Sequence, residues 1–366
     1  MKRIILFIFI AYITVFLTAQ PQTSADILYE QQKKKMESLM NSQTQAQQSI
    51  LSNADKYFKE QVEKYELEYQ KKMQEHNEKV KEAWGKFITF STKEWGSFSQ
   101  DYKTYSRVSF DEEKGGFIEV KTIVTKEEGK KVAQENIKKQ MNAILEEKDD
   151  YTGKPILEGD VEKSQVEKGI SNPTLSQQSD GKMIYTVKVP LVDDYAKRNA
   201  QKYKSLIQAV ANVLQLPAEL VIAVVHTESS FNPRAQSAAG AFGLMQLIPK
   251  YGAADGYYYV HKEKKLLTQE ELFDPSVNIK YGSAYLKAIS SFYFSNISDE
   301  VKKEYLVIAS YNMGPTAIKT LFKNVDINSV SSEYVYNYIK TNAAKETQDY
   351  IEKVIKRKDG YSGFFK

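Results

Sequence analysis

The chain has no cysteine, only three histidines and two tryptophans, and almost no charge imbalance. Without cysteine there are no disulfides and no thiolate metal sites. His76, His226 and His261 do not form an HExxH or similar pair, so neither a histidine-held metal nor any other cofactor is expected. The 51 basic and 47 acidic residues leave a formal charge of +4, without the clustered basic excess of a dedicated nucleic-acid binder. The 366 residues suffice for two ordinary domains, and 42% hydrophobic content suffices for their cores.

Long apolar runs are also scarce, the exception being the N-terminus. Lys2 and Arg3 precede residues 4–17, which are apolar apart from Thr14, and small residues follow at Thr18-Ala19. A basic start, an apolar stretch of about 14 residues and a small-residue exit read as a secretory signal over residues 1–19. The stretch falls short of the ~20 apolar residues of a membrane span, although an uncleaved anchor is the alternative. Either way the protein is expected in the periplasm or cell envelope, tethered to the membrane if the signal stays on.

Residues 20–50 are polar and Gln/Ser-rich and read as a partly helical linker or stalk. From Leu51 to Phe87, apolar residues recur in steps of three and four. Phe58/Tyr69/Val80 and Val62/Met73/Trp84 repeat every 11 residues, the signature of a long, nearly straight helix. His76 lies on this stripe as a packed or boundary residue. TYSRVSF (104–110), the polar turn 111–116 and FIEVKTIV (117–124) predict a β-hairpin, residues 126–147 an amphipathic helix, and MIYTVKVPL (183–191) a further strand. Residues 51–192 therefore read as a long helix plus a mixed α/β module, suited to binding or positioning. From residue 193 to 366 the pattern is helical, with helices expected at 196–214, 217–229, 277–292, 301–311, 317–322 and 345–357. Pro217 is expected in a first helical turn, where its missing N–H is not needed. The fold class is α+β, with an all-α C-terminal half.

Within that half, HTESSFNPRAQSAAGAFGLMQLIP (226–249) is the segment with chemical content. Residues 220–225 are apolar on every side, so their helix is buried. Glu228 sits where that buried stripe ends. A carboxyl in apolar surroundings has a raised pKa and is suited to donate a proton near neutrality. Gly240 and Gly243 allow close backbone approach, Ser237 and Gln246 offer hydrogen bonds, and Met245 offers an adaptable apolar contact. The residues alone equally allow a helix end followed by a glycine-rich loop.

The ordered pattern ESSFNP…A.S..GA.GLMQ..P (228–249) resembles the catalytic signature of the soluble lytic transglycosylase superfamily. LFDPSVNIKYGSAYL (272–286), ASYNMGP (309–315) and KETQDYIEKV (345–354) resemble that family's later motifs in order, so the likeness covers roughly residues 200–357. YSRVSFDEEKGGFIEVKT (105–122) and YTVKVPL (185–191) resemble the membrane-bound C-type enzymes of the family. The resemblance implies a lysozyme-like helical fold acting on peptidoglycan glycan strands, with cell-envelope machinery as a further class of partner. It implies Glu228 as the one catalytic carboxylate, acid then base, cutting the MurNAc–GlcNAc bond with a 1,6-anhydro product.

It also implies that Ser237, Gly243, Met245 and Gln246 line the groove, that Tyr311, Asn312 and Tyr350 orient substrate, and that Glu346 braces the groove or touches substrate. Without it, Tyr311-Asn312 before Gly314-Pro315 reads as a plain helix stop, and Tyr350 as a core aromatic. His226, two residues from the glutamate, is expected to make a structural hydrogen bond. Residues 251–271 form a Tyr-rich, then Lys-rich insertion, either a sugar-stacking surface or a plain surface loop. C-type enzymes carry a lipid on a cysteine at the signal boundary. Gln20 stands there in this chain, so no lipid anchor is expected. Two other readings remain open: a hydrolytic muramidase using Asp255 or Asp274 as a second carboxylate, and a non-catalytic wall-binding scaffold.

Overall fold

The computed structural model describes residues 24–177 and 181–366, so the expected signal segment 1–19 and the Gln20 boundary lie outside the described residues. The chain divides into two units, Met1–Tyr57 and Phe58–Lys366. Helix α1, Ser24–Trp84, is 61 residues long and takes in residues 24–50 of the segment expected as a partly helical linker or stalk. In the first unit it leaves Met36, Leu39, Met40 and Ile50 exposed.

The second unit begins with a five-stranded antiparallel sheet in the order β1-β2-β3-β5-β4. Its strands are β1 Glu94–Phe98, β2 Thr104–Ser109, β3 Phe117–Val124, β4 Thr174–Gln177 and β5 Met183–Pro190. Helices α2, Gly129–Glu146, and α3, Lys163–Ser171, lie between β3 and β4 in the chain. The alternation in β3 sorts side chains to two faces. Ile118, Val120 and Val124 join Val108 of β2 and Val187 and Val189 of β5 in one core with Ile137, Met141 and Ile144 of α2. Ile123, Tyr105 and Ile184 point to the opposite face and pack on Val80 and Trp84 at the end of α1. The 11-residue stripe of α1 thus meets the sheet at its C-terminal end, where the Trp84 indole N–H donates to the Tyr102 carbonyl at 2.7 Å. His76 is a packed residue, with its ring edge-on to Phe98 at 5.1 Å.

The hairpin, α2 and β5 lie where their periodicity puts them. Strands β1 and β4 and helix α3 went unforeseen. In β1 the reason is Gly96, which sequence rules read as a breaker. A Cβ there would meet the Ser106 carbonyl at 2.0 Å, so glycine is what lets β1 pair with β2.

The remainder is helical: α4 Tyr195–Leu214, α5 Ala218–Ser229, α6 Ala254–His261, α7 Gln269–Phe273, α8 Pro275–Ala288, α9 Glu300–Met313, α10 Pro315–Leu321, α11 Ser332–Asn342 and α12 Lys345–Gly360. Single π-helical turns precede α6 (Pro249–Ala253) and follow α8 (Ile289–Tyr293). Pro217 is the N-cap of α5, one residue ahead of the expected first turn. Residues Leu220 to Val225 are all buried. At about 1.5–3 kcal/mol per buried large aliphatic side chain, such a helix belongs at the centre, and α5 packs against both α4 and α12. Helix α4 joins the two halves: Tyr195 donates to the Phe110 carbonyl at 3.1 Å, and Tyr203 to Asp149 at 2.5 Å. No described helix is long and apolar enough to cross a membrane.

Candidate active site

Helix α5 ends in an unusual way. Ser230 and Phe231, both non-glycine, take left-handed backbone conformations with φ of 51° and 64°, a cost of roughly 1–2 kcal/mol per residue. The turn persists because its surroundings hold it. The Ser230 amide donates to the His226 carbonyl at 3.1 Å. The Ser229 hydroxyl lies 3.1 Å from the Val225 carbonyl and 2.9 Å from that of Leu244, locking the last turn onto the loop that follows.

Glu228 stands on that last turn, only partly exposed. Its Oε1 accepts a hydrogen bond from the Tyr350 hydroxyl on α12 at 2.7 Å. Burial pushes its pKa up to about 7. The Tyr350 bond pulls the other way, and the negative charge of Glu346 adds to the rise. A carboxyl poised at that value holds its proton on one side of neutrality and releases it on the other, as an acid that must also serve as a base requires.

The end of α9 supplies the next residues. The Tyr311 hydroxyl donates to the Met245 carbonyl at 2.8 Å. Burial raises its own pKa, and the charge of Glu228 adds to the rise. Asn312 bridges to α12: its Nδ2 donates to Glu346 at 3.4 Å, and its Oδ1 accepts from Thr347 at 2.7 Å. Glu346 is exposed at the rim. The structure therefore brings Glu228, Tyr311, Asn312, Glu346 and Tyr350 together from three helices.

The loop between α5 and α6 is organised by a residue the sequence reading missed. Asn278, buried on α8, accepts from the Met245 amide at 2.7 Å and donates to the carbonyls of Phe242 at 2.9 Å and Leu272 at 2.7 Å. Its sequence signal was slight: one amide among the serines, lysines and apolar residues of a mixed helix. Gly243, at φ +73°, fits directly against it. Met245 was expected to line the groove. Its side chain is instead fully buried against Gly282, because an unbranched thioether fills the gap that glycine leaves. Only its backbone carbonyl serves the site, through Tyr311. Gln246 holds a left-handed backbone at φ 48° and donates to the carbonyls of Ala235 and Gly243. Its Oε1 is buried without a hydrogen-bond partner. Ser237 closes a turn, accepting from the Ala241 amide at 3.0 Å, and no hydrogen bond joins it to Glu228 among the described residues.

Ser237 borders a groove of about 1310 Å³ walled by α1 and β1, with Asn77, Phe90, Phe98 and Gln236 among its lining residues. The Gln236 amide donates to the Tyr69 hydroxyl at 2.6 Å, fixing this part of α1 to the loop between α5 and α6. Exposed Phe87 offers a flat apolar face in the same groove.

The remaining candidates have other partners. Asp274 caps α8, accepting from the Ser276 amide at 2.7 Å. Asp255 sits in the first turn of α6, where its charge acts on Tyr285 and Tyr293. The insertion after residue 250 is helical as far as His261 and resumes at Gln269, and Tyr257 is used internally, stacked on His261 at 4.2 Å. Tyr251 and Tyr258 stay exposed. His226 makes structural hydrogen bonds, as expected: Nε2 meets Glu112 at 2.6 Å and Nδ1 meets Tyr361 at 2.9 Å.

Comparison with known proteins matches residues 205–331 to the Transglycosylase SLT domain family. Membrane-bound lytic murein transglycosylase C of Klebsiella pneumoniae is 26% identical over 310 residues, covering 76% of this chain and 84% of the relative. The protein of the same name from Haemophilus ducreyi is 32% identical over 192 residues, covering 50% of this chain and 51% of the relative. Among solved structures, an inactive mutant of the lytic transglycosylase Slt from Pseudomonas aeruginosa aligns at 25% identity and a TM-score of 0.39. That alignment covers 46% of this chain and 25% of the other. The 70 kDa soluble lytic transglycosylase of Escherichia coli aligns at 25% identity and a TM-score of 0.36 over 44% of this chain and 24% of the other.

Proposed function

We infer that this chain, which carries a Transglycosylase SLT domain at residues 205–331, is a lytic transglycosylase of peptidoglycan, working in the cell envelope on glycan strands. The supporting observation is the setting of Glu228: a carboxyl raised to about 7, bonded to one tyrosine hydroxyl. In the first step Glu228 donates its proton to the oxygen linking MurNAc to GlcNAc, and the bond from C1 of MurNAc to that oxygen breaks. The substrate's acetamido oxygen supports the positive charge left at C1. In the second step the Glu228 carboxylate takes the proton of the C6 hydroxyl of the same MurNAc, and O6 bonds to C1. The proton count closes, no water is consumed, and the product ends in 1,6-anhydro-MurNAc. Ordinary glycosidases use a pair of carboxylates. One suffices here because the nucleophile is already part of the substrate, with the large proximity advantage of an intramolecular attack. Glu346 is the carboxylate whose charge reaches Glu228, and it serves to raise the acid's pKa. The groove beside Ser237, on the loop that follows Glu228, is a candidate path for the strand.

The test is to digest purified peptidoglycan and weigh the released muropeptides. Ends lighter than hydrolysis products by one water support the reading. Reducing MurNAc ends move it to a muramidase, and no release from folded protein leaves a wall-binding role.

The pH profile follows from Glu228. The acid must be protonated, so kcat/KM should fall about tenfold per pH unit above about 7. Tyr350→Phe removes the bond that favours the ionised carboxyl, so its alkaline limb should lie at higher pH than that of the wild type. A limb at the same or lower pH would rule out this role for Tyr350.

A further inference from the structure

The hairpin turn between β2 and β3 reaches the back of the catalytic helix. Glu112, in that turn, is 114 residues from His226 in sequence, yet its Oε2 lies 2.6 Å from His226 Nε2. The His226 hydrogen bond holds the Glu112 carboxyl below its usual range, so it is ionised and can only accept. Nε2 therefore carries the hydrogen. Burial lowers the His226 pKa, which leaves Nδ1 free of a proton to accept from the Tyr361 hydroxyl at 2.9 Å. Both ring nitrogens are then paired and the tautomer is set. His226 is two residues before Glu228, so the two side chains diverge by about 200° around the helix. The imidazole is gripped from behind the face that presents the acid.

A second grip lies just beyond. Asn232, fully buried, donates to the carbonyls of Thr92 at 3.3 Å and Glu94 at 3.1 Å at the start of β1. Arg234 pairs with Asp150 at 2.9 Å and Glu147 at 3.1 Å. The strained residues Ser230 and Phe231 lie between these grips. Arg357 of α12 feels the charge of Glu112, and Tyr350 on the same helix holds Glu228.

We propose that the sheet-containing half is a positioning part of the active site, and that Glu112, acting through His226, sets the placement of Glu228. This rests on the catalytic reading of Glu228. Residues 92–150, otherwise chemically silent, then hold a strained helix end in register with its tyrosine partner. Such placement matters because a displacement of about 1 Å can cost on the order of 10²-fold in rate.

The test uses the full chain with Glu112→Ala and Glu112→Gln. A glutamine amide oxygen still accepts from Nε2, whereas alanine leaves that N–H unpaired. Glu112→Ala should lower kcat about 10- to 100-fold, with KM within about twofold because the groove is untouched, and Glu112→Gln should recover most of the loss. The second readout needs no substrate: the Glu228 carboxyl is titrated by ¹³C NMR. Around it stand Tyr350 and Glu346 of α12 and Tyr311 of α9; around Glu112 stand His226, Lys93 and Arg357. In Glu112→Ala the midpoint should fall from about 7 toward the ordinary carboxylate range as water reaches the loosened helix end. A midpoint and kcat both unmoved would overturn the proposal. If the wild type itself releases nothing from peptidoglycan, the functional reading fails separately, and the titration still decides the coupling.

Discussion

Glu228→Gln should abolish lytic activity and at the same time make the protein more stable at alkaline pH. On the proposed mechanism the loss in kcat should be about 10³-fold or more, because one group would serve as acid and then base, each role contributing roughly 10²–10⁴-fold. Glutamine keeps the size of the side chain and a carbonyl oxygen to accept from Tyr350, but has no proton to give. The stability gain follows from linkage. The folded pKa of about 7 lies above the ordinary 4.5, so the folded state binds this proton more tightly than the unfolded chain does. That contribution is fully present below about 4.5 and is lost as the pH rises through about 7. Taken at face value, the loss amounts to about 3 kcal/mol. Because Glu228 is partly exposed, about 1–2 kcal/mol is the better expectation. Calorimetry at pH 8 and at pH 4 checks it: the variant should melt above the wild type at pH 8 and with it at pH 4. A gap of equal size at both would show that the carboxyl is not held out of its ordinary range by burial.

Gly243→Ala should be the most damaging small change near the site. Its new methyl would stand 2.2 Å from the Leu272 carbonyl oxygen and 2.3 Å from the Asn278 amide nitrogen, at a φ of +73°. Relief requires moving Asn278, which holds the Met245 amide and two carbonyls. Left-handed backbone costs about 1–2 kcal/mol, overpacking about 1–3, and each buried partner left unsatisfied about 1–3. A total of about 4 kcal/mol or more lowers the melting temperature by roughly 10 °C in a domain of this size. Gly240→Ala is the control. It has the same backbone sign, at φ +76°, but the nearest atom to its new methyl is a Tyr69 ring carbon at 3.9 Å. It should cost only the backbone strain, about 1–2 kcal/mol. Equal damage from both substitutions would mean that backbone strain, not the Asn278 contact, makes glycine necessary at 243.

These two glycines look alike in the sequence, and their difference shows how far the sequence could be read. Periodicity revealed what is local: the hairpin, α2, β5 and the buried α5 with Glu228 at its end. The short elements β1, β4 and α3 span too few residues for a period to stand out, and the insertion after residue 250 hides a helix whose Gly256 lies against the Tyr281 backbone. The meeting of Tyr311, Asn312 and Tyr350 around Glu228 is a tertiary fact, and only resemblance to a family hinted at it. Asn278 and the Glu112–His226 pair gave still less signal, since a lone amide in a helix of mixed polarity and a glutamate in a polar turn have common structural uses.

The burial of Met245 also bears on how the centre withstands oxidants. Methionine sulfoxide forms where a thioether is accessible, and thiolates are the other ready target. The chain has no thiol. The Met245 side chain, 0% exposed, is shielded, while Met36 and Met40 on the first unit's helix are 63% and 54% exposed. Oxidative attack on these three thioethers should therefore fall first on the helix, sparing the residue whose carbonyl holds Tyr311.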